Sequence, residues 1–216
     1  MTTQIKLTGT ERKQLLSISR NTLKFCFENR KIQNRSFDKE DADYKCAKKM
    51  IVKYSALNIP VLQEILPCFV TLYSLEGNSK KLRGCIGSLE ARNNETLLEN
   101  LINNTLLAAF ADSRFEPLEE IELDKISIEI SILSKLQPVT FHTKEELFKK
   151  ITGKGVVLQS GPFKATFLPQ VWEQIDEPEN FLRHLAQKAG ISPGDYLHAS
   201  YKIYEVYAFE ESGEQP

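Results

Sequence analysis

The chain has 216 residues, 41% of them apolar and 26% charged, with a net charge of -1. That length carries a core without a metal or disulfide staple, and the near-neutral balance excludes a general field drawing the molecule onto nucleic acid or an anionic membrane. The 10 Gly and 9 Pro are too few for a collagenous or disordered chain, and no apolar run is long enough to span a bilayer.

The opening residues MTTQIKLTGTERKQ lack the apolar stretch of a secretory signal. A soluble, cytoplasmic protein is expected, or a nuclear one in a eukaryote. Thr8 and Glu11 stand in capping-box spacing, and Leu15, Leu16, Ile18, Leu23 and Phe27 give the following helix its apolar face. Asn29 to Ser36 is polar and reads as a loop. A basic helix is expected from about Lys39 to Lys53. Residues 1–60 carry 13 Lys and Arg against 6 Asp and Glu, whereas residues 61–135 carry 7 against 12. A basic N-terminal arm lying on an acidic body fits that asymmetry.

Phe69 to Tyr73 is rich in strand formers, Glu76 to Ser79 has turn chemistry, and Lys81 to Ile86 returns as a second strand. An amphipathic helix follows from about Asn94 to Ala111. Ile126 to Ile132 alternates four isoleucines with polar residues, so one face is buried and one is wet. Thr143 and Glu146 open a short helix through Ile151. Gly155 to Gln159 and Lys164 to Leu168 read as a second hairpin. Pro178 starts a helix that Gly190 stops. Tyr201 to Phe209 closes the chain as one long strand. These elements argue α+β, with mostly antiparallel sheets and flanking helices.

Cys26, Cys46, Cys68 and Cys85 form no Cys-x-x-Cys pair, so neither a zinc ribbon nor a thioredoxin-type motif is expected. His142, His184 and His198 show no metal-ligand spacing. No Gly-rich nucleotide loop, Walker run or nucleophile elbow occurs, and Gly153-Lys154-Gly155 reads as a loop. No resident cofactor and no metal are expected. Lys45, Lys48, Lys49 and Lys53 could touch phosphates, but their neighbours Glu40, Asp41 and Asp43 favour a solvated helix, so a nucleic-acid partner is not expected and a nucleic-acid-associated factor using this basic arm is the weakest of the alternatives.

Two segments break the local rules. Leu82-Arg83-Gly84-Cys85-Ile86-Gly87 places two glycines inside a strand, which costs stability unless a bulge or a close approach requires them. Cys85 between them reads either as a nucleophile favoured by Arg83 or as a packed thiol. Arg83 and Cys85 share a face only if no bulge intervenes. Ala111-Asp112-Ser113-Arg114-Phe115 follows a helix. Its Arg114 reads either as a fork for a carboxylate or phosphate or as a local lock on Asp112.

Together these segments resemble the AMMECR family. Leu82 to Gly87 is similar to its hallmark hexapeptide, Ala108 to Phe115 to its post-helix motif, and Cys68 to Leu72 and Ile128 to Leu133 to its strands. Leu168 to Val171 and Phe181 to Gly190 resemble its C-terminal signatures. Ser113 departs from the family's usual proline, and the basic stretch from Gln33 to Ile59 diverges. The resemblance runs from about Leu7 to Glu211 and implies one α+β domain over residues 1–216, with a larger and a smaller lobe. It carries no established activity. Memo-like and radical-SAM proteins are the partners it suggests. Whether the chain is an enzyme stays open. One reading makes Cys85 a catalytic nucleophile, with Gly84 and Gly87 admitting a substrate and Arg83 or Arg114 holding its anionic group. The other makes the two motifs, with Asp112, brace each other beneath a surface that binds a small ligand or a partner.

Overall fold

A computed structural model describes residues 5–32, 39–77 and 79–211. In chain order the elements are α1 (Gly9–Ile32), α2 (Lys39–Ser55), β1 (Cys68–Glu76), β2 (Ser79–Gly87), α3 (Leu97–Phe110), β3 (Ile126–Leu133), β4 (Gln137–Val139), α4 (Lys144–Ile151), β5 (Gly155–Ser160), β6 (Phe163–Phe167), α5 (Pro178–Ala189), β7 (Ser200–Tyr204) and β8 (Val206–Glu210). They divide between two compact units: one runs to Ile132 and resumes at Tyr207, the other is Leu133–Val206. Each has its own four-stranded sheet and its own apolar cluster. β1 pairs antiparallel with β2 and β3, and β5 pairs antiparallel with β6 and β7, as β4 does with β7, so the fold is α+β as expected.

In the first unit the strand order is β2-β1-β3-β8. The alternation of β1 and β3 decides which side meets the helices. Val70 and Leu72 sit opposite Ile130 and Ile128, and all four are fully buried. α3 packs on this side, with α1 and α2 against it. The other side of the same strands carries Phe69, Thr71 and Tyr73, opposite Ser131, Glu129 and Ser127.

α1 opens as expected: Thr8 N–H donates to Glu11 at 2.8 Å, and Glu11 N–H returns to the Thr8 hydroxyl at 3.2 Å. It then runs on through Ile32, past the Asn29 where a loop was expected. The segment is polar but has no Gly or Pro to stop a helix, and Asn29 Nδ2 donates back to Phe25 O at 2.8 Å. Residues 33–36 of that expected loop lie outside the described residues. α3 starts later than expected. Thr96 is its N-cap in a full capping box with Glu99, while Asn94, at φ 59, belongs to the turn before it.

The second unit orders its strands β4-β7-β5-β6. α5 lays Phe181, Leu182 and Leu185 into its core, with α4 adding Leu147 and Ile151. β4 was not expected, because three residues containing Pro138 carry too little pattern to read. The long final strand is in fact two. At Glu205 the chain breaks: its N–H donates to Ser134 Oγ and its carbonyl accepts from Ser134 N–H, both at 2.9 Å. Residues 200–204 therefore pair in the second sheet and 206–210 in the first.

Candidate functional site

β2 is an edge strand, and an edge leaves backbone donors and acceptors without a neighbour. At Cys85 two side chains take the neighbour's place. Cys85 N–H donates to Asp112 Oδ2 at 2.9 Å. Its carbonyl accepts from Arg114 Nη2 at 3.2 Å. Arg114 in turn grips Asp112, Nε to Oδ1 at 2.9 Å and Nη2 to Oδ2 at 2.7 Å. Arg114 N–H adds a further bond to Oδ1 at 3.2 Å. The end of α3 delivers this clasp through a turn that Phe115 N–H closes onto Asp112 O at 3.0 Å, with Ser113 in place. The Asp112 side chain is 5% exposed, that of Arg114 54%. The Arg114 guanidinium, helped by Cys85 N–H, holds the Asp112 carboxyl well below the usual carboxylate range against the opposing effect of burial.

Arg83 is the extra residue of a bulge. Leu72 faces Gly84 and Tyr73 faces Leu82, so Arg83 has no opposite number. The bulge removes Arg83 from the alternation that sets the Cys85 face and turns it onto Glu122. Nε and Nη2 meet the two carboxylate oxygens at 2.7 and 2.9 Å. Nη1 donates to Glu116 O at 2.9 Å, so this arginine ties β2 to the segment after the clasp.

The two glycines answer to the chain itself. A Cβ on Gly84 would stand 2.2 Å from the carbonyl oxygen of Ala108, because α3 lies against the bulged strand there. A Cβ on Gly87 would stand 2.4 Å from the Phe69 ring and 2.6 Å from Cys68 O. The space beside each glycine is filled by protein.

Cys85 is partly exposed and faces Thr71 across the hairpin. Because its N–H and carbonyl point outward to the clasp, the pair exchanges no backbone bonds, and such pairs bring side chains closest. Thr71 Oγ1 donates to Cys85 Sγ at 3.3 Å. One strand further in, Thr71 faces Glu129. A thiol, a hydroxyl and a carboxylate thus form one row across β2, β1 and β3. Tyr73 lies next along the same side, its phenol raised first by burial and then by the Glu129 charge. Burial, with Glu210 adding to it, raises the Glu129 carboxyl against the opposing Ser131 hydrogen bond and Lys80 charge. Sequence reading missed Thr71, Tyr73 and Glu129. Their signal was the wet phase of the β1 and β3 alternation, which gains meaning only once the register is known.

The remaining candidates lie elsewhere. His142, His184 and His198 are exposed residues of the second unit. Lys48, Lys49 and Lys53 stand over the rings of Tyr44, Phe25 and Tyr54 at 5.1, 5.9 and 5.3 Å. Cys26, Cys46 and Cys68 are buried. Complete burial pushes the Cys68 thiol up to about 12. Among the described residues no three His, Cys, Asp or Glu side chains gather as a metal site, and no helix is long and apolar enough to cross a membrane.

Comparison with known proteins returns one family model, AMMECR1, over residues 20–212. A protein of Sulfurisphaera tokodaii is 38% identical over 166 residues, 75% of this chain and 71% of that one. Protein MJ0810 of Methanocaldococcus jannaschii is 36% identical over 175 residues, covering 78% of this chain and 83% of its own. The crystal structure of the uncharacterised protein PH0010 from Pyrococcus horikoshii is similar with a TM-score of 0.64 at 25% identity, covering 92% of this chain and 90% of that one.

Proposed function

Because the chain belongs to the AMMECR1 family, whose model spans residues 20–212, we propose that it is a binding module. In this reading the Arg83–Gly87 and Asp112–Arg114 motifs frame a surface around Cys85 that receives a small ligand or a partner. The observation that carries the reading is the clasp: Asp112 and Arg114 hold the N–H and carbonyl of Cys85 at 2.9 and 3.2 Å. Each conspicuous charge already has a structural task, Arg114 with Asp112 and Arg83 with Glu122. Such a frame fixes the position of a surface and leaves no loose cation to take a substrate's anion. Memo-like and radical-SAM proteins are the first partners to test. A cytoplasmic location suits four cysteines present as thiols.

The test is alkylation of the folded full-length protein by iodoacetamide at pH 7, with Cys85 read by mass spectrometry. A binding module gives a Cys85 that reacts no faster than cysteine in a short peptide. Reaction many-fold faster overturns the reading and puts nucleophilic catalysis first. One observation favours that second reading: the Thr71 hydroxyl donates to Sγ at 3.3 Å and so orients the sulfur of a partly exposed cysteine.

A further inference from the structure

Glu129 stands out among the charges of the first sheet. Lys80 on β2 reaches Glu210 on β8 at 2.6 Å, Arg83 reaches Glu122 and Arg114 reaches Asp112. Each of these cations has its own acid. Glu129 has no cation within ion-pair distance among the described residues, and Ser131 Oγ donates to it at 3.5 Å. It is only partly exposed, on the side of a central strand turned away from α3, where Thr71 beside it is buried. It shares a row with Thr71 and Cys85. A partly desolvated carboxylate without a counter-charge is costly to keep.

We propose that the Cys85–Thr71–Glu129 row is a site for a ligand bearing a primary ammonium, whose cation pairs with the partly exposed Glu129 while the rest of the ligand extends along the row toward the partly exposed thiol of Cys85. The inference rests on the reading of this surface as a binding site. It adds the ligand's chemistry, which the clasp does not specify. Two strand spacings separate the ends of the row, about 10 Å between backbones, which accommodates a short aliphatic amine. Burial raises the Glu129 carboxyl, and a bound ammonium would reverse that. The ammonium has two sources, a free amine or the side chain of a lysine in a peptide.

Two thiol reagents of opposite charge test the field at the site. Cys85 in the folded full chain is labelled with 2-aminoethyl and with 2-sulfonatoethyl methanethiosulfonate, and initial rates are read by mass spectrometry. After correction for the reagents' intrinsic rates, the cationic one is favoured by about fivefold at low salt. In Glu129→Gln the preference falls to near one, and 0.5 M salt reduces it in the unchanged protein, a control that needs no variant. Protection is then measured with the neutral methyl methanethiosulfonate in the presence of n-butylammonium or an N-acetylated, C-amidated Gly-Lys-Gly peptide, whose lysine carries its one ammonium. Slowing by the amine alone assigns a small molecule, and slowing by the peptide alone assigns a lysine side chain. Either effect must vanish in Glu129→Gln. No charge preference, a preference unchanged in Glu129→Gln, no protection by either probe, or a Cys85 that no reagent reaches overturns the proposal. A missing preference leaves the binding-module reading intact, since that reading fails only on fast neutral alkylation.

Discussion

The backbone N–H of Cys85 donates to Asp112 Oδ2 at 2.9 Å, so an open strand edge ends on a side chain instead of on another strand. The arrangement blunts an edge that would otherwise pair with other chains. It also makes Asp112 a single point of failure, since its buried carboxylate accepts Cys85 N–H and three donors of Arg114. Asp112→Ala leaves the backbone donor bare and Arg114 unpaired. A loss of roughly 2–4 kcal/mol is expected, read as a lower urea midpoint. A midpoint within error of the parent would mean that water replaces the clasp at no cost.

The same carboxylate sets a pH dependence. Its folded value lies below the ordinary 3.8, chiefly through Arg114. A depressed acid contributes stability that is present above its unfolded value and lost as pH falls through its folded one. Asp112→Asn lacks that contribution at every pH. The gap between parent and variant should therefore be constant from pH 7 to about 5 and shrink from about pH 4 downward. Denaturation midpoints across that range check it, and a gap that widens in acid contradicts the assignment.

Much of this was legible in the residues, and the rest was not for identifiable reasons. The β1–β2 hairpin, the isoleucine strand and the capping boxes at Thr8 and Thr143 are local patterns, and they formed where the pattern lay. The two glycines could be marked as anomalies, but what fills their space is the Ala108 carbonyl and the Phe69 ring, which only packing brings there. Both roles for Arg114 could be named, and the choice needed the distance to Asp112. The division of the last strand depends on Ser134 meeting Glu205, 71 positions apart. Thr71 and Glu129 drew no attention because a single polar residue on the wet side of a strand is ordinary. Alignment across three strands is what joins them to Cys85.

Gly84 separates two explanations of the hexapeptide. If the glycine admits a ligand, alanine there blocks binding and leaves the fold intact. The structure puts a Cβ at Gly84 2.2 Å from a backbone oxygen of α3, which no side-chain rotation can relieve. Gly84→Ala is expected to cost about 3 kcal/mol, at the upper end of ordinary overpacking. Gly77→Ala, at φ +60 with open space around it, serves as the reference for backbone strain alone and should cost about 1 kcal/mol. Thermal or urea unfolding of the pair decides. A Gly84→Ala protein as stable as the parent would return the glycine to ligand access.

Glu129 gives the opposite sign to Asp112. Burial raises its carboxyl above the ordinary 4.5, so the folded chain holds that proton more tightly than the unfolded chain. The stability tied to it is fully present below the unfolded value, and it is lost as pH rises through the folded one. At pH 7 the parent bears a partly desolvated charge, offset only in part by Ser131 and the more distant Lys80, that Glu129→Gln does not. The variant should then be the more stable protein at pH 7, and the two should converge near pH 4. Because the side chain is only partly buried, solvent screening keeps the gain small, about 0.5 kcal/mol. Urea midpoints at the two pH values, in buffers free of amines, measure it. A variant less stable than the parent at pH 7 would mean that Glu129 has a cation in the folded chain, and the case for an ammonium ligand would go with it.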